Sequence, residues 1–151
     1  MSTQMDETLE KPRVVIHGRK VVGGVAEGEA LVTKETISGW GGVNAMTGTI
    51  IESRHELKGV SFAGKVLIFP GAKGSSGWSG LFHMTRLRGT APLAMVFNVM
   101  TTKAALGAVV MRVPTITECD QDPLEVIRTG DWVRVDGDAG TIEVWSRKPG
   151  A

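Results

Sequence analysis

Between Gly64 and Phe69 the sequence reads GKVLIF, a continuous apolar run cut off by Pro70-Gly71. A strand that alternates polar and apolar residues can leave one face in water. An unbroken apolar run needs cover on both faces, as in the interior of a parallel sheet. The following chain supplies material for that cover. A glycine-serine turn, GAKGSSG, leads from Ser76 into Trp78, Leu81, Phe82, Met84 and Leu87, which approximate a helical apolar face that Gly89 is placed to end. APLAMVFNV is strand-like again, TTKAALGA suits a short helix, and AVVMRVPTIT suits extended chain. This β-α-β-α-β order predicts a parallel centre.

The flanks read as β-rich. RVVIHGRKVVGG and EGEALVTKE are short strands separated by glycines, and ISGWGGVNAMTG, glycine-rich and aperiodic, predicts a long structured loop before the strand TIIES. Asp122-Pro123 offers an N-cap and first helical residue for DPLEVIRTG, with Gly130 as the stop. DWVRVDGDAGTIEVW is a hairpin turning through Asp136–Gly140. The expected organisation is a flexible tail over residues 1–12, one mixed α/β domain over 13–146, strand-rich with a few helices, and a polar tail over 147–151.

A domain of 151 residues buries roughly 70% of its unfolded surface and needs no disulfide to hold a core. With 22% charged residues and a formal net charge of +1, nothing draws it to nucleic acid. The start, MSTQMDETLEKPR, has no apolar core for a signal or a membrane span, and KAALGAVVM is too short to cross a bilayer, so a cytoplasmic chain is expected. Cys119, the single cysteine, cannot alone hold an iron-sulfur cluster or a structural zinc, and its acidic neighbours in TECDQD raise its pKa. His17 and His83 lack metal-ligand spacing, so no metal site is expected here.

The turn between buried strand and helix presents unpaired N–H groups at the positive end of a helix dipole, which suits an anion. It is no phosphate-binding P-loop, because Lys73 precedes Gly74 where that motif has glycine then lysine. Nor is it a nucleophile elbow, because Ser75, Ser76 and Ser79 each lack one of the two required glycines. A plain helix cap by Ser75 or Ser76 is the bland alternative. Lys73 is the nearest cation in sequence, able to hold a carboxylate or phosphate or simply to be solvated.

The fragments VAEGEALV, WGGVNAMTGTIIESRHELKG, GKVLIFPGAKGSSG, APLAMVFN and DPLEVIRTGDWVRVDGDAGTIEV, in that order, resemble the small, swivel-domain portion of the aconitase X family. The resemblance implies a swivelling β/β/α fold of the aconitase superfamily and a part in a hydro-lyase. It also implies a larger partner subunit that carries the iron-sulfur cluster and much of the pocket for a small hydroxy acid. This chain alone would bind no cofactor. Ser75 matches the family's proposed proton acceptor, with Ser76 as alternate, while the partner's iron centre draws off the hydroxyl. Substrate-binding positions implied beside it are Lys73, Gly74, Ser76, Gly77, Gly41, Gly42 and His55. Trp40, in the same loop as Gly41 and Gly42, either faces a ligand or plugs the core. The His55 segment departs from the family pattern, with Glu56 in place of a proline and Lys58 in place of an aromatic. A serine-arginine motif of isopropylmalate isomerases is absent, since Gly77 follows the serine pair.

Lowering a serine hydroxyl by about six pKa units to act near neutrality corresponds to about 8 kcal/mol. A helix N-terminus supplies at most ~2 kcal/mol of this. The lone domain is therefore expected to be inactive. Of the family's two substrates, cis-3-hydroxy-L-proline is the expected one, on the look of the Trp40 loop and the amino terminus, with phosphomevalonate as the alternative. A non-catalytic binding or regulatory module is the competing reading of another class.

Overall fold

A computed structural model describes residues 11–74 and 77–150. Most of the expected amino-terminal tail (1–10), Ser75, Ser76 and Ala151 lie outside the described residues. The strands are β1 (Val14–His17), β2 (Arg19–Val22), β3 (Val25–Val32), β4 (Ile37–Ser38), β5 (Val43–Asn44), β6 (Thr49–Ile50), β7 (Val66–Phe69), β8 (Ala72–Lys73), β9 (Ala94–Phe97), β10 (Thr115–Thr117), β11 (Trp132–Asp136) and β12 (Thr141–Trp145). The helices are α1 (Trp78–Arg88), α2 (Thr102–Met111) and α3 (Pro123–Val126).

Eight strands form one sheet in the order β1, β12, β11, β3, β7, β9, β10, β2, with β3, β7, β9 and β10 parallel to one another. β1 and β2 occupy opposite ends of that order, yet Gly18 alone separates them in sequence. The sheet therefore curls until one kinked segment joins its two ends. Gly18 is at the kink because no side chain fits. A Cβ there would lie 2.6 Å from Ile116 Cγ2 and 2.8 Å from the Thr117 carbonyl oxygen. Its N–H donates to the Gly140 carbonyl at 2.9 Å, and the His17 carbonyl accepts from Asp120 N–H at 2.7 Å, so both flanks stay bonded through the bend.

Strand parity divides the core in two. Val66, Ile68, Ala94, Val96 and Ile116 gather with Ile16, Val133, Val135, Ile142 and Val144 on the enclosed face. Leu67, Phe69, Met95 and Phe97 face the other way, onto Trp78, Leu81, Phe82, Ala104, Ala108 and Met111 of α1 and α2. All four residues of β7 are buried, which is the reason for its unbroken apolar run.

Three sequence readings are corrected. The buried stripe of α1 is Trp78, Leu81, Phe82 and Thr85, while Met84 and Leu87 are exposed. A period of 3.6 residues puts positions three, four and seven after Trp78 on one face, and the Thr85 hydroxyl is satisfied by donating to the Phe82 carbonyl at 2.6 Å. Second, α2 continues through Val109, Val110 and Met111, expected to be extended, and stops at Arg112 in the left-handed region (φ 58°). Packing of Ala104, Gly107, Ala108 and Met111 overrides the β preference of the two valines. Third, α3 keeps its Asp122 cap, which accepts from Leu124 N–H at 3.0 Å, but ends at Val126 rather than running to Gly130. The Gly89 stop (φ 74°), the parallel centre and the closing hairpin agree with the sequence.

Two helical glycines separate space from propensity. A Cβ on Gly107 would fall 2.3 Å from Trp78 Cζ3, whereas one on Gly80 meets nothing within 4 Å. Gly107→Ala is expected to destabilise by about 1–3 kcal/mol through overpacking. Gly80→Ala is expected to stabilise by up to about 1 kcal/mol. Urea unfolding of the two variants checks the opposite signs.

Candidate functional site

The glycine-serine turn is held from behind by its first helical residue. Trp78 is fully buried, stacks on Phe82 with ring centroids 4.1 Å apart, and donates its indole N–H to the Ile37 carbonyl at 2.9 Å. The same corner is braced by parallel pairing of β4 with β8, Ile37 opposite Ala72 and Ser38 opposite Lys73. The loop after β4 then crosses the helix start. A Cβ on Gly39 would lie 2.9 Å from Trp78 Cα, and one on Gly42 would lie 2.5 Å from the Ser38 carbonyl oxygen. Gly41 needs no room but adopts φ +81°, a torsion that favours glycine. Trp40 is 61% exposed, so the core indole here is Trp78 and the Trp40 ring faces outward.

Lys73 leaves this corner with its ammonium 2.7 Å from Glu52 Oε1, and the Ser38 hydroxyl donates to the same carboxylate at 3.4 Å. The hydrogen bond from Lys73 holds the Glu52 carboxyl below the usual carboxylate range against the opposing effect of burial. Gly74, at φ +98°, offers its carbonyl to Lys103 Nζ at 2.6 Å. Gly77 precedes α1 as its N-cap residue, in a helical backbone conformation. Thus Lys73, Gly74 and Gly77 lie at one helix start, and Gly41 and Gly42 belong to the loop whose Gly39 packs on it, while Ser75 and Ser76 lie outside the described residues. Sequence reasoning missed Glu52 and Lys103, each brought in by a distant element with no local motif.

His55 takes a different place. Its side chain is 1% exposed, Nδ1 accepts the Leu57 N–H at 3.0 Å, and Nε2 lies 3.2 Å from the Thr36 carbonyl. An acceptor role at Nδ1 puts the neutral ring's proton on Nε2, which donates to Thr36. Nε2 therefore ties the residue just ahead of β4 while Nδ1 closes the local turn from His55 to Leu57, and Arg54 beside it is exposed. Glu56 adds the tie that a proline would not make. It accepts the Thr33 hydroxyl at 2.7 Å and the Lys34 N–H at 3.1 Å, and its own N–H donates to Glu35 Oε2 at 2.6 Å. The Thr33 hydroxyl is the main cause that holds the Glu56 carboxyl below its ordinary value.

The donor set does not fit an iron-sulfur cluster. Among the described residues no three His, Cys, Asp or Glu side chains gather to hold a metal. The Cys119 thiol is pushed up to about 11, first by burial and then by Asp120 and Asp122, the reverse of what a ligating thiolate needs. No helix of the described residues is long and apolar enough to cross a membrane.

A closed, strand-rich sheet with a parallel centre, two helices on one face and a glycine-rich corner at the start of α1 defines a swivelling β/β/α domain. The chain belongs to the aconitase X swivel-domain family, whose profile matches residues 15–144. It is 44% identical over 129 residues to the phosphomevalonate dehydratase small subunit of Methanocella arvoryzae, covering 85% of this chain and 98% of that one. It is 42% identical over 126 residues to the protein of the same name from Archaeoglobus fulgidus, covering 83% and 95%. The crystal structure of Thermococcus kodakaraensis aconitase X in its holo-form superposes with a TM-score of 0.82 at 36% identity, covering 87% of this chain and 98% of that one.

A carboxylate whose folded pKa is depressed stabilises the fold above its unfolded pKa, and this contribution fades as pH falls through the folded value. Glu56→Gln is therefore expected to lower the melting temperature most near pH 7, with the difference from wild type shrinking as pH drops below the ordinary carboxylate range, about 4. A melting-temperature series against pH checks this. A gap that stays constant with pH counts against Glu56 as a charged tie.

Proposed function

We propose that this chain is the small, swivel subunit of an aconitase X-type hydro-lyase that dehydrates phosphomevalonate. The observation that carries the reading is the match at 44% identity to 98% of the length of a relative bearing that name. This replaces the expectation of cis-3-hydroxy-L-proline, which rested on the look of the Trp40 loop and the amino terminus. The relatives from Methanocella arvoryzae and Archaeoglobus fulgidus both carry the phosphomevalonate name.

In this reading Ser75, with Ser76 as alternate, takes the substrate's proton at the start of α1. The positive end of the helix and the glycine turn favour the anionic form of whatever binds there. Gly41, by its left-handed torsion, and Gly42, by its close packing on Ser38, shape the loop that borders this corner, and Lys73 contributes a cation whose position Glu52 sets. His55 acts indirectly, by tying the loop before β4. The cluster implied by the family has no suitable donor set among the described residues, so we assign it to a larger partner subunit. A helix start supplies at most ~2 of the ~8 kcal/mol that a serine base needs, so we also assign to the partner the closing and drying of the site. The exposed apolar side chains of Trp40, Val99, Met100 and Leu106 offer that partner a surface to cover.

The test is anaerobic co-expression with the larger subunit, followed by assay on both substrates. Turnover of phosphomevalonate by the complex, with neither subunit active alone and no turnover of cis-3-hydroxy-L-proline, is expected. Turnover of hydroxyproline alone would reverse the substrate assignment. Assembly without turnover of either would favour the non-catalytic module.

A further inference from the structure

Lys103 stands where helix electrostatics disfavour it. It occupies the first turn of α2, close to the positive end of that helix dipole, and no acidic residue accompanies it in that turn. Unlike Lys73, whose ammonium is paired with Glu52 at 2.7 Å, Lys103 makes no ion pair among the described residues. Its Nζ instead donates to the Gly74 carbonyl at 2.6 Å, across 29 residues of sequence. Gly74 combines φ +98° with open space around its Cβ position, so glycine is needed there for its torsion and not for room. A torsion that glycine alone adopts freely is also one it leaves freely. A planar peptide bond turns as one unit, so whatever holds the Gly74 carbonyl sets the plane of the peptide leaving Gly74 toward the two serines.

We propose that Lys103 is a positioning residue for the glycine-serine turn, pinning the Gly74 carbonyl from α2 and so setting the direction in which the chain leaves Gly74. The anchor is charge-assisted and therefore stronger than an ordinary amide contact. α2 is itself fixed against α1, because Gly107 lets its backbone approach the Trp78 ring and Thr101 caps its start by accepting from Ala104 N–H at 3.3 Å. The described residues on either side of the two serines are thus each held. Trp78 fixes the helix that follows it and Lys103 fixes the carbonyl that precedes the serines.

The functional half of this inference rests on the dehydratase reading, and its physical half does not. Two measurements keep them apart, each on Lys103→Met and Lys103→Arg. In the chain itself, amide hydrogen exchange across residues 71–80 is expected to speed several-fold in Lys103→Met and to return close to wild type in Lys103→Arg. In the assembled complex with phosphomevalonate, Lys103→Met is expected to lower kcat by about ten- to a hundredfold, the scale of a small misplacement, with KM within about twofold. Lys103→Arg is expected to recover most of the rate. Unchanged exchange in Lys103→Met overturns the proposal. So does a rise in KM alone, which would place the ammonium on the substrate's anionic group instead. Faster exchange in Lys103→Met, rescued by Lys103→Arg, in a complex that turns over no phosphomevalonate even as wild type, supports the positioning role and refutes the substrate reading.

Discussion

The indole of Trp78 is the contact on which the rest of the candidate site depends. It is buried at the first position of α1, stacked on Phe82, pressed by Gly107 from α2, and bonded through its N–H to the Ile37 carbonyl of β4. A buried indole N–H without an acceptor carries a desolvation penalty of about 1–3 kcal/mol, so this bond selects the placement of the loop as well as that of the ring. One side chain thereby ties the helix layer to the strand that leads into Gly41 and Gly42. The turn at Gly74 is left in a fixed frame with its own backbone torsion still to be set.

Around that frame the charges are arranged unevenly. Lys73 is paired with Glu52, which is itself held below the ordinary carboxylate range, whereas Lys103, with no ion pair among the described residues, brings its ammonium to the Gly74 carbonyl. Two helix starts, α1 and α2, add their positive ends without an acidic residue in either first turn. The corner therefore has positive polarity although the chain's formal net charge is only +1. Such local polarity suits an anionic ligand.

The parts legible in the sequence were those decided by local rules. The unbroken run of β7, the Gly89 and Asp122-Pro123 boundaries and the closing hairpin each follow from periodicity or backbone torsion over a few residues. What was not legible depends on who comes near. Closure of the sheet at Gly18 is visible only once Ile116 and Gly140 are known to flank it. The length of α2 was hidden because its valines favour strands in isolation and packing on α1 decides otherwise. Of the site, the glycines and Lys73 were recognisable from the family's motif, whereas Glu52 and Lys103 arrive from other elements with no motif of their own. Trp40 and Trp78 are equivalent letters in a sequence, and burial alone tells the anchor from the exposed ring.

The proposed chemistry runs through Ser75, in the turn between Gly74 and Trp78. The most direct measurement is the steady-state rate of the assembled complex carrying Ser75→Ala, with Ser76→Ala beside it and assembly verified for both. A loss of about 10²- to 10⁴-fold in kcat is expected for Ser75→Ala, the range associated with removing a proton-transfer group, and a much smaller loss for Ser76→Ala. A Ser75→Ala complex that assembles and retains activity within a few-fold of wild type would contradict it.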